Sequence, residues 1–342
     1  MSNLNIFNKL IFIINLLVAV LLLIGYLLPY IPPSSFPSLS VLTLVIPVLI
    51  VANIIMTLYW LLLVKRQFWL SGIVLIIGLF VNATLYKIFG KDYKPSPDDF
   101  TIMSYNTKRF AMNPIKRRSD KKELLQGGIW KFIQDKNPSI VCFQEFPDDT
   151  KIPLDYEYIY RQPSSKSVSV ETAILSRYPI LHTGNLDFPD TFNNGIYADI
   201  LVDKDTIRIY NLHMQSLSLD PEISGIQHGD KKKLLATTGQ KFEKQEEQVN
   251  LFLKSEKSCP YPILVTGDFN NTVFSYTYQK IKGDKFDTFG EVGEGFGRTF
   301  TFDVIPLRID FILGTKNAIE PRHFERFKVS YSDHYPIMAT LR

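Results

Sequence analysis

The sequence predicts an α+β domain of two face-to-face sheets with helices outside, preceded by an all-α transmembrane region of three helices. Three observations carry the prediction. Residues 10–64 contain no charged side chain, and residues 67–86 are again free of charge. Residues 100–342 hold a succession of short strand-like apolar runs mixed with two helix-like stretches. Several of those runs stop at a side chain that can bind a metal or move a proton.

The amino-terminal region comes first. Its apolar residues lift the chain to 46% hydrophobic against 21% charged. A bilayer-spanning helix needs roughly 20 apolar residues. The first charge-free run is too long for one span, and Pro29, Pro32, Pro33 and Pro37 interrupt it, with Ser34 and Ser35 between. Spans are expected at about 10–28, 39–64 and 68–86, within a transmembrane region of residues 1–90. A cleaved signal peptide is not expected, because Lys9 stands alone and no small-x-small pattern precedes the further apolar segments. Three spans place Lys9 and the Lys65-Arg66 loop on one side. The positive-inside rule then puts the amino terminus in the cytoplasm and the large domain outside the cell (inner) membrane, although Lys87, Lys91 and Lys94 oppose that orientation.

A linker follows over residues 91–99, with Pro95, Ser96 and Pro97, and residues 100–342 are of the size of one α/β domain. Strands are expected at 100–105, 139–144, 173–176, 197–202, 206–212, 263–266, 308–313 and 336–341. Asp203-Lys204-Asp205 reads as the turn of a hairpin. One helix starts near Asp120, with Glu123 three residues on, and ends before Asn137-Pro138. A second covers about 241–254, with Phe242, Val249, Phe252 and Leu253 as its apolar side. Residues 217–240 read as a polar loop insertion whose Lys231-Lys232-Lys233 is either a solvated face or a contact to anionic headgroups. Two cysteines are no disulfide framework, and a net charge of +4 is too small to argue for nucleic acid.

The chemistry-bearing residues sit where apolar runs stop. In Ile263-Leu264-Val265-Thr266-Gly267-Asp268-Phe269-Asn270, alternation along extended chain points Asp268 and Asn270 the same way, and Gly267 lets the backbone bend or approach a ligand. Other runs stop at Asn106, at Gln144-Glu145 and at His213. Asp310 interrupts an apolar run, and Ser332-Asp333-His334 precedes the last one. Each has a bland reading: a turn at Asn106 or Asp333-His334, a solvated strand end at Glu145, a core histidine at His213, and a buried partner for Arg308 at Asp310. Their joint occurrence favours a site.

The set Ser104-Tyr105-Asn106, Gln144-Glu145, Asn211-x-His213, Gly267-Asp268-Phe269-Asn270, Arg308-Ile309-Asp310 and Ser332-Asp333-His334 resembles the endonuclease/exonuclease/phosphatase (DNase I-like) superfamily. The resemblance spans residues 100–342. It implies a four-layer α/β sandwich and Mg²⁺-dependent cleavage of phosphoesters, with Mn²⁺ as a substitute ion. It implies metal ligation by Asn106, Glu145 and Asp333, and catalytic roles for His213, Asp268, Asn270, Asp310 and His334. Asp310 would orient His334, Asp268 and Asn270 would position the nucleophile and the phosphoryl oxygens, and His213 would contact the phosphate or protonate the leaving oxygen. Which group is the base stays open. In AP endonucleases of this superfamily the residue two after the Asn is an acidic metal ligand and a Tyr replaces the histidine. Lys108 and His213 depart from that pattern and are more like sphingomyelinases and DNase I.

The expected function is thus a membrane-anchored, metal-dependent phosphoesterase acting on a phosphoester such as a lipid headgroup at the bilayer. A surface nuclease acting on DNA or RNA is the alternative, and a catalytically dead scaffold a third. The lipid bilayer is an expected partner, and no obligate protein partner is inferred.

Overall fold

A computed structural model describes residues 4–81, 84, 86–110, 119–217, 231–302 and 305–342. The chain divides into two compact units. One comprises Met1–Ala83, Asp230–Glu246 and Asn271–Gln279, the other Thr84–Gly229, Glu247–Asn270 and Lys280–Arg342.

In the first unit, helices α1 (Ile6–Leu27), α2 (Pro37–Ser40), α3 (Ile46–Leu62) and α4 (Phe68–Gly78) follow the charge-free runs. Prolines divide them as expected, since Pro removes a backbone donor and fixes φ. Two continuous helical stretches, Ile6–Tyr30 and Pro37–Leu62, are long and apolar enough to cross a membrane. The third expected span, 68–86, is instead a helix of 11 residues. At 1.5 Å per residue that is roughly 16 Å, about half a hydrocarbon core. It ends in turns at Leu79–Val81, and residues 82, 83 and 85 lie outside the described part.

The three longer helices pack through polar side chains that their apolar composition makes conspicuous. Ser71 Oγ donates to Asn15 Oδ1, Tyr59 donates to Asn8 at 2.6 Å, and Asn53 Nδ2 donates to the Leu49 carbonyl at 2.9 Å and to that of Val18 at 3.4 Å. The bonds to Asn15, Asn8 and Val18 join different helices, while the Asn53–Leu49 bond is internal to α3. Leu17, Val51, Ile55, Leu58 and Ile73 meanwhile stay exposed. The stretch between α1 and α2 is held by α6 (Lys231–Lys257), where Glu246 accepts from the Ser34 amide at 2.8 Å and from its hydroxyl at 3.0 Å. Residues 231–240, expected in a loop, thus form the first turns of α6. Residues 218–230 of that expected loop lie outside the described part.

In the second unit the strands are β1 (Phe100–Asn106), β2 (Ile140–Pro147), β3 (Tyr158–Ser164), β4 (Ser167–Ser176), β5 (Ile180–Asn185), β6 (Gly195–Val202), β7 (Asp205–His213), β8 (Ile263–Asp268), β9 (Phe286–Asp287), β10 (Phe300–Phe302), β11 (Ile305–Leu307), β12 (Asp310–Gly314), β13 (Pro321–Arg326) and β14 (Ile337–Leu341). They form two six-stranded sheets, ordered β13-β14-β1-β2-β4-β3 and β5-β6-β7-β8-β12-β9, plus the β10-β11 hairpin. Each large sheet has one parallel pair, β1–β2 or β7–β8, among antiparallel neighbours.

The sheets stack face to face. Ile102, Cys142, Ile174 and Ala339 of one sheet share a core with Ala198, Ile209, Leu264 and Ile312 of the other. Period-two alternation sends Met103, Tyr105, Val141 and Phe143 to the opposite face, where Ile129, Trp130 and Ile133 of α5 (Ser119–Lys136) cover them. On the outer face of the second sheet, Tyr210 stacks edge-on against Phe252 of α6 at 5.0 Å. The order is therefore helix, sheet, sheet, helix, which is the expected sandwich.

Candidate active site

The topology gathers the polar strand ends at one rim. Strands β1 and β2 are parallel and end side by side, with Asn106 paired to Gln144. Strands β7 and β8 do the same in the other sheet, pairing His213 with Asp268. Strand β12 runs antiparallel to β8, so its first residue, Asp310, lies opposite Asp268. Strand β14 runs antiparallel to β1, which brings the preceding Asp333-His334 to the same rim.

Two local distortions aim the side chains. The β2–β4 pairing slips between Phe143 and Phe146, and Glu145 within that bulge has φ 49°. Gly267 has φ 134°, and a Cβ there would lie 1.9 Å from the Leu212 carbonyl oxygen. A glycine is thus required to keep β8 hydrogen-bonded against β7 immediately before Asp268.

The centre of the site is a buried charge network. His334 Nδ1 lies 3.1 Å from each carboxylate oxygen of Asp310, and its Nε2 lies 3.7 Å from Asp268 Oδ2. Burial alone would depress the His334 pKa, but the carboxylates of Asp310 and Asp268 outweigh it and raise it to about 10. Burial pushes Asp268 up to about 7, the Asp310 charge adds to that, and His334 opposes it. Asp268 also accepts from the Asn270 amide at 2.7 Å and from Asn106 Nδ2 at 3.0 Å. Burial pushes His213 down to about 4, leaving a neutral ring near pH 7. Its Nε2 is 2.8 Å from Asn193 Nδ2, and 3.8 Å from both Glu145 Oε1 and Asp268 Oδ2.

Six of the eight expected residues, Asn106, Glu145, His213, Asp268, Asp310 and His334, are thus linked by contacts of 3.8 Å or less. Asp333 is joined to the set through Lys108, whose ammonium contacts Asp333 Oδ2 and whose amide donates to Asn106 Oδ1 at 3.0 Å. Asn270 reaches the set through its backbone, while its side-chain Nδ2 donates to the Met214 carbonyl at 2.9 Å. Asp310 is not the partner of Arg308, which instead pairs with Asp287 at 2.8 Å.

Gln144 and Asn211 serve the frame. Gln144 donates to Asn211 Oδ1 at 2.6 Å, and Asn211 donates to the Phe143 and Ala173 carbonyls across the two sheets, each at 2.9 Å. Asn193 carries no motif signal, because its contact with His213 exists only through the β6–β7 pairing. The same holds for Thr299, whose hydroxyl accepts from the Asp310 amide at 3.1 Å, while Ser332 of the Ser332-Asp333-His334 motif donates its hydroxyl to the Asn106 carbonyl at 2.9 Å.

Two arrangements of ligand atoms invite a divalent cation. Asp268, Asp310 and His334 each offer an atom within 4.8 Å of the others. That cluster already balances its charge by the His334–Asp310 contact, and a protonated ring has no lone pair to give. The Glu145 carboxylate fits better. It is partly exposed, it accepts at 3.4 Å from the Nδ2 of Asn106, whose Oδ1 faces the Lys108 amide, and its cationic neighbour, Arg109 Nε, stands off at 3.9 Å. Carboxylate and amide oxygens are the donors that Mg²⁺ and Mn²⁺ take.

Strand ends of two stacked mixed sheets meeting at one polar rim are the architecture of the DNase I-like class. Residues 103–334, well over half of the chain, match the Endonuclease/Exonuclease/phosphatase family, and the chain belongs to it. Members of that family are hydrolases acting on phosphoesters. Residues 8–84 match a second family, described as a domain of unknown function. No curated protein matches the chain. Among solved structures it is similar to the human Nocturnin catalytic domain, with 15% identity and a TM-score of 0.53 over 73% of this chain and 97% of that one. A humanized TDP2 from D. rerio gives 18%, 0.52, 72% and 99%. A mannosyl-6-phosphatase from Bacteroides thetaiotaomicron gives 18%, 0.50, 71% and 99%. At these identities the likeness concerns the fold.

Proposed function

We propose that the protein is a membrane-anchored, divalent-metal-dependent phosphoester hydrolase. The observation that carries this reading is the buried His334–Asp310 pair facing Asp268, beside the Glu145 carboxylate and the Asn106 amide. A Mg²⁺ ion held by Glu145 and Asn106, with Asp333 adjoining, would supply Lewis-acid polarisation of the phosphoryl group. The chain's own residues divide the rest of the work. Asp310 keeps His334 protonated and oriented, so that a positive ring stands where charge grows on a phosphoryl oxygen. Asp268, poised near neutral pH, takes a proton from an attacking water. Neutral His213, fixed by Asn193, turns its ring toward the space between Glu145 and Asp268.

The anchoring rests on two helices of span length and on the outward apolar side chains of α1, α3 and α4. An extracytoplasmic catalytic domain, with α4 as a short third membrane segment, completes this reading. Such anchoring favours a phosphoester presented at the bilayer, such as a lipid headgroup. A nuclease is the second reading, favoured by Lys108 and Arg109 beside the site carboxylates. Purified full-length protein in detergent, with Mg²⁺ and with chelator, decides between them. Headgroup release from mixed-lipid vesicles supports the first reading. Plasmid nicking without headgroup release overturns it in favour of the second. Hydrolysis unaffected by chelator overturns the metal-dependent reading.

A further inference from the structure

We propose that Lys108 is a built-in cation of this site. Its ammonium neutralises Asp333, so that a divalent ion is held by Glu145 and Asn106 without a ligand from Asp333. The inference rests on the metal-dependent reading above and concerns how the site divides its negative charge.

The placement of Lys108 is over-determined. Lys108, Arg109 and Phe110 have φ of 45°, 54° and 55°, three consecutive left-handed residues with no glycine among them. Side-chain-bearing residues avoid that region, and such backbone persists where surrounding contacts enforce it, commonly at functional sites. The contacts are present here. The Thr107 amide donates to the Gln144 carbonyl at 3.0 Å, and its hydroxyl donates to the Glu145 carbonyl at 2.8 Å. Phe110 is fully buried, with ring centroids 5.8 Å from both Trp130 and Phe146. A turn clamped at both ends sends the Lys108 ammonium onto Asp333 and its amide onto Asn106 Oδ1.

The two acidic candidates are consequently unlike. Asp333 Oδ2 contacts the ammonium. Glu145 has its cationic neighbour only at 3.9 Å. An ammonium and a divalent ion on one carboxylate oxygen would stand a few ångströms apart, where like charges repel even at a half-buried pair such as this one. Glu145 is thus the carboxylate left for the metal. Asn106 Oδ1 keeps a second lone pair for the ion while it accepts from the Lys108 amide.

Calorimetric titration of full-length, detergent-solubilised protein with Mn²⁺ tests the assignment without any substrate. Asp333→Asn alone is expected to leave Mn²⁺ affinity within roughly three-fold of wild type. Lys108→Met is expected to raise it roughly 10- to 100-fold by freeing Asp333, the range over which a ligand-sphere change acts. The double variant is expected to return to the wild-type value. A loss of ten-fold or more in Asp333→Asn, or no gain in Lys108→Met, overturns the proposal and leaves the metal-dependent reading intact. No Mn²⁺ binding by any of the proteins overturns both. If Lys108→Met does not fold, as judged by its unfolding midpoint, Lys108→Gln carries the same expectation.

Discussion

His334 presents Nδ1 at 3.1 Å to both oxygens of Asp310, so that one carboxylate fixes the plane of the ring and, with Asp268, its charge. The two residues are 24 apart in sequence and lie on different sheets, at the start of β12 and just before β14. Asp310→Asn keeps the shape and removes the charge. It is expected to lower kcat by roughly 10²–10⁴, as removal of an orienting carboxylate does in other histidine-dependent hydrolases. KM and Mn²⁺ affinity should stay within a few-fold. Steady-state kinetics on the preferred phosphoester measure this, and an unchanged kcat would remove Asp310 from the site.

The two buried histidines oppose each other in pH dependence. The His334 pKa is raised in the folded protein to about 10, so its contribution to stability is fully present below about pH 6.5 and is lost as pH rises toward 10. The His213 pKa is depressed to about 4, so its folded environment favours the neutral ring. That contribution is present above about pH 6.5 and is lost as pH falls toward 4. Urea unfolding in chelator should show the stability gap between wild type and His334→Gln shrinking from pH 6.5 to 9. The gap for His213→Gln should shrink from pH 6.5 to 4.5. The reverse slopes would refute the assigned charges.

Gly267→Ala is expected to prevent folding or to cost more than about 4 kcal/mol, in the range of severe single substitutions. The added methyl would meet the Leu212 carbonyl oxygen, which belongs to a parallel-paired central strand and cannot withdraw without breaking the β7–β8 ladder. Soluble yield and the urea midpoint report the outcome. A variant within about 1 kcal/mol of wild type would show that the backbone there is not constrained.

Far from the site, Arg208 and Asp199 form a buried two-pronged pair, with Nε–Oδ1 at 2.6 Å and Nη2–Oδ2 at 2.8 Å. Arg208 also lies 4.0 Å from the centre of the Tyr197 ring. Asp199→Leu leaves a buried guanidinium without its anion and is expected to cost about 3–5 kcal/mol. Equilibrium unfolding should show the loss, while kcat stays near wild type at a temperature where the variant is folded.

The strands that could be read from sequence were the interior ones. β1, β2, β6, β7, β8 and β14 have neighbours on both sides, and their runs are apolar enough to stand out. β3, β5 and β13 were not anticipated, and all three are sheet edges. Their side chains are mostly half-buried rather than buried, as in Tyr158–Ser164 and Pro321–Arg326, so no apolar run announces them. Edge strands carry such polar and charged residues to block further pairing. Helix α6 begins ten residues before its expected start because only Leu234-Leu235-Ala236 is apolar between Lys231-Lys232-Lys233 and Thr237-Thr238-Gly239-Gln240, too little to show the periodicity that marks 241–254.

What the sequence determined by itself was the inventory: charge-free helices separated by prolines, apolar strands, and a polar residue at several strand ends. Those features are local, since hydropathy and periodicity act between near neighbours along the chain. The tertiary structure decided what each polar residue does. Parallel pairing of β1 with β2 and of β7 with β8, and the antiparallel return of β12 and β14, brought residues from 106 to 334 to one rim. That meeting separated Gln144 and Asn211, which tie the sheets, from Asp268, Asp310 and His334, which carry charge. It also brought in Asn193 and Thr299 and set Lys108 on Asp333. Hydrogen bonds and charge pairs at 3 Å depend on which strands become neighbours, and burial then shifts the protonation of His213 and Asp268.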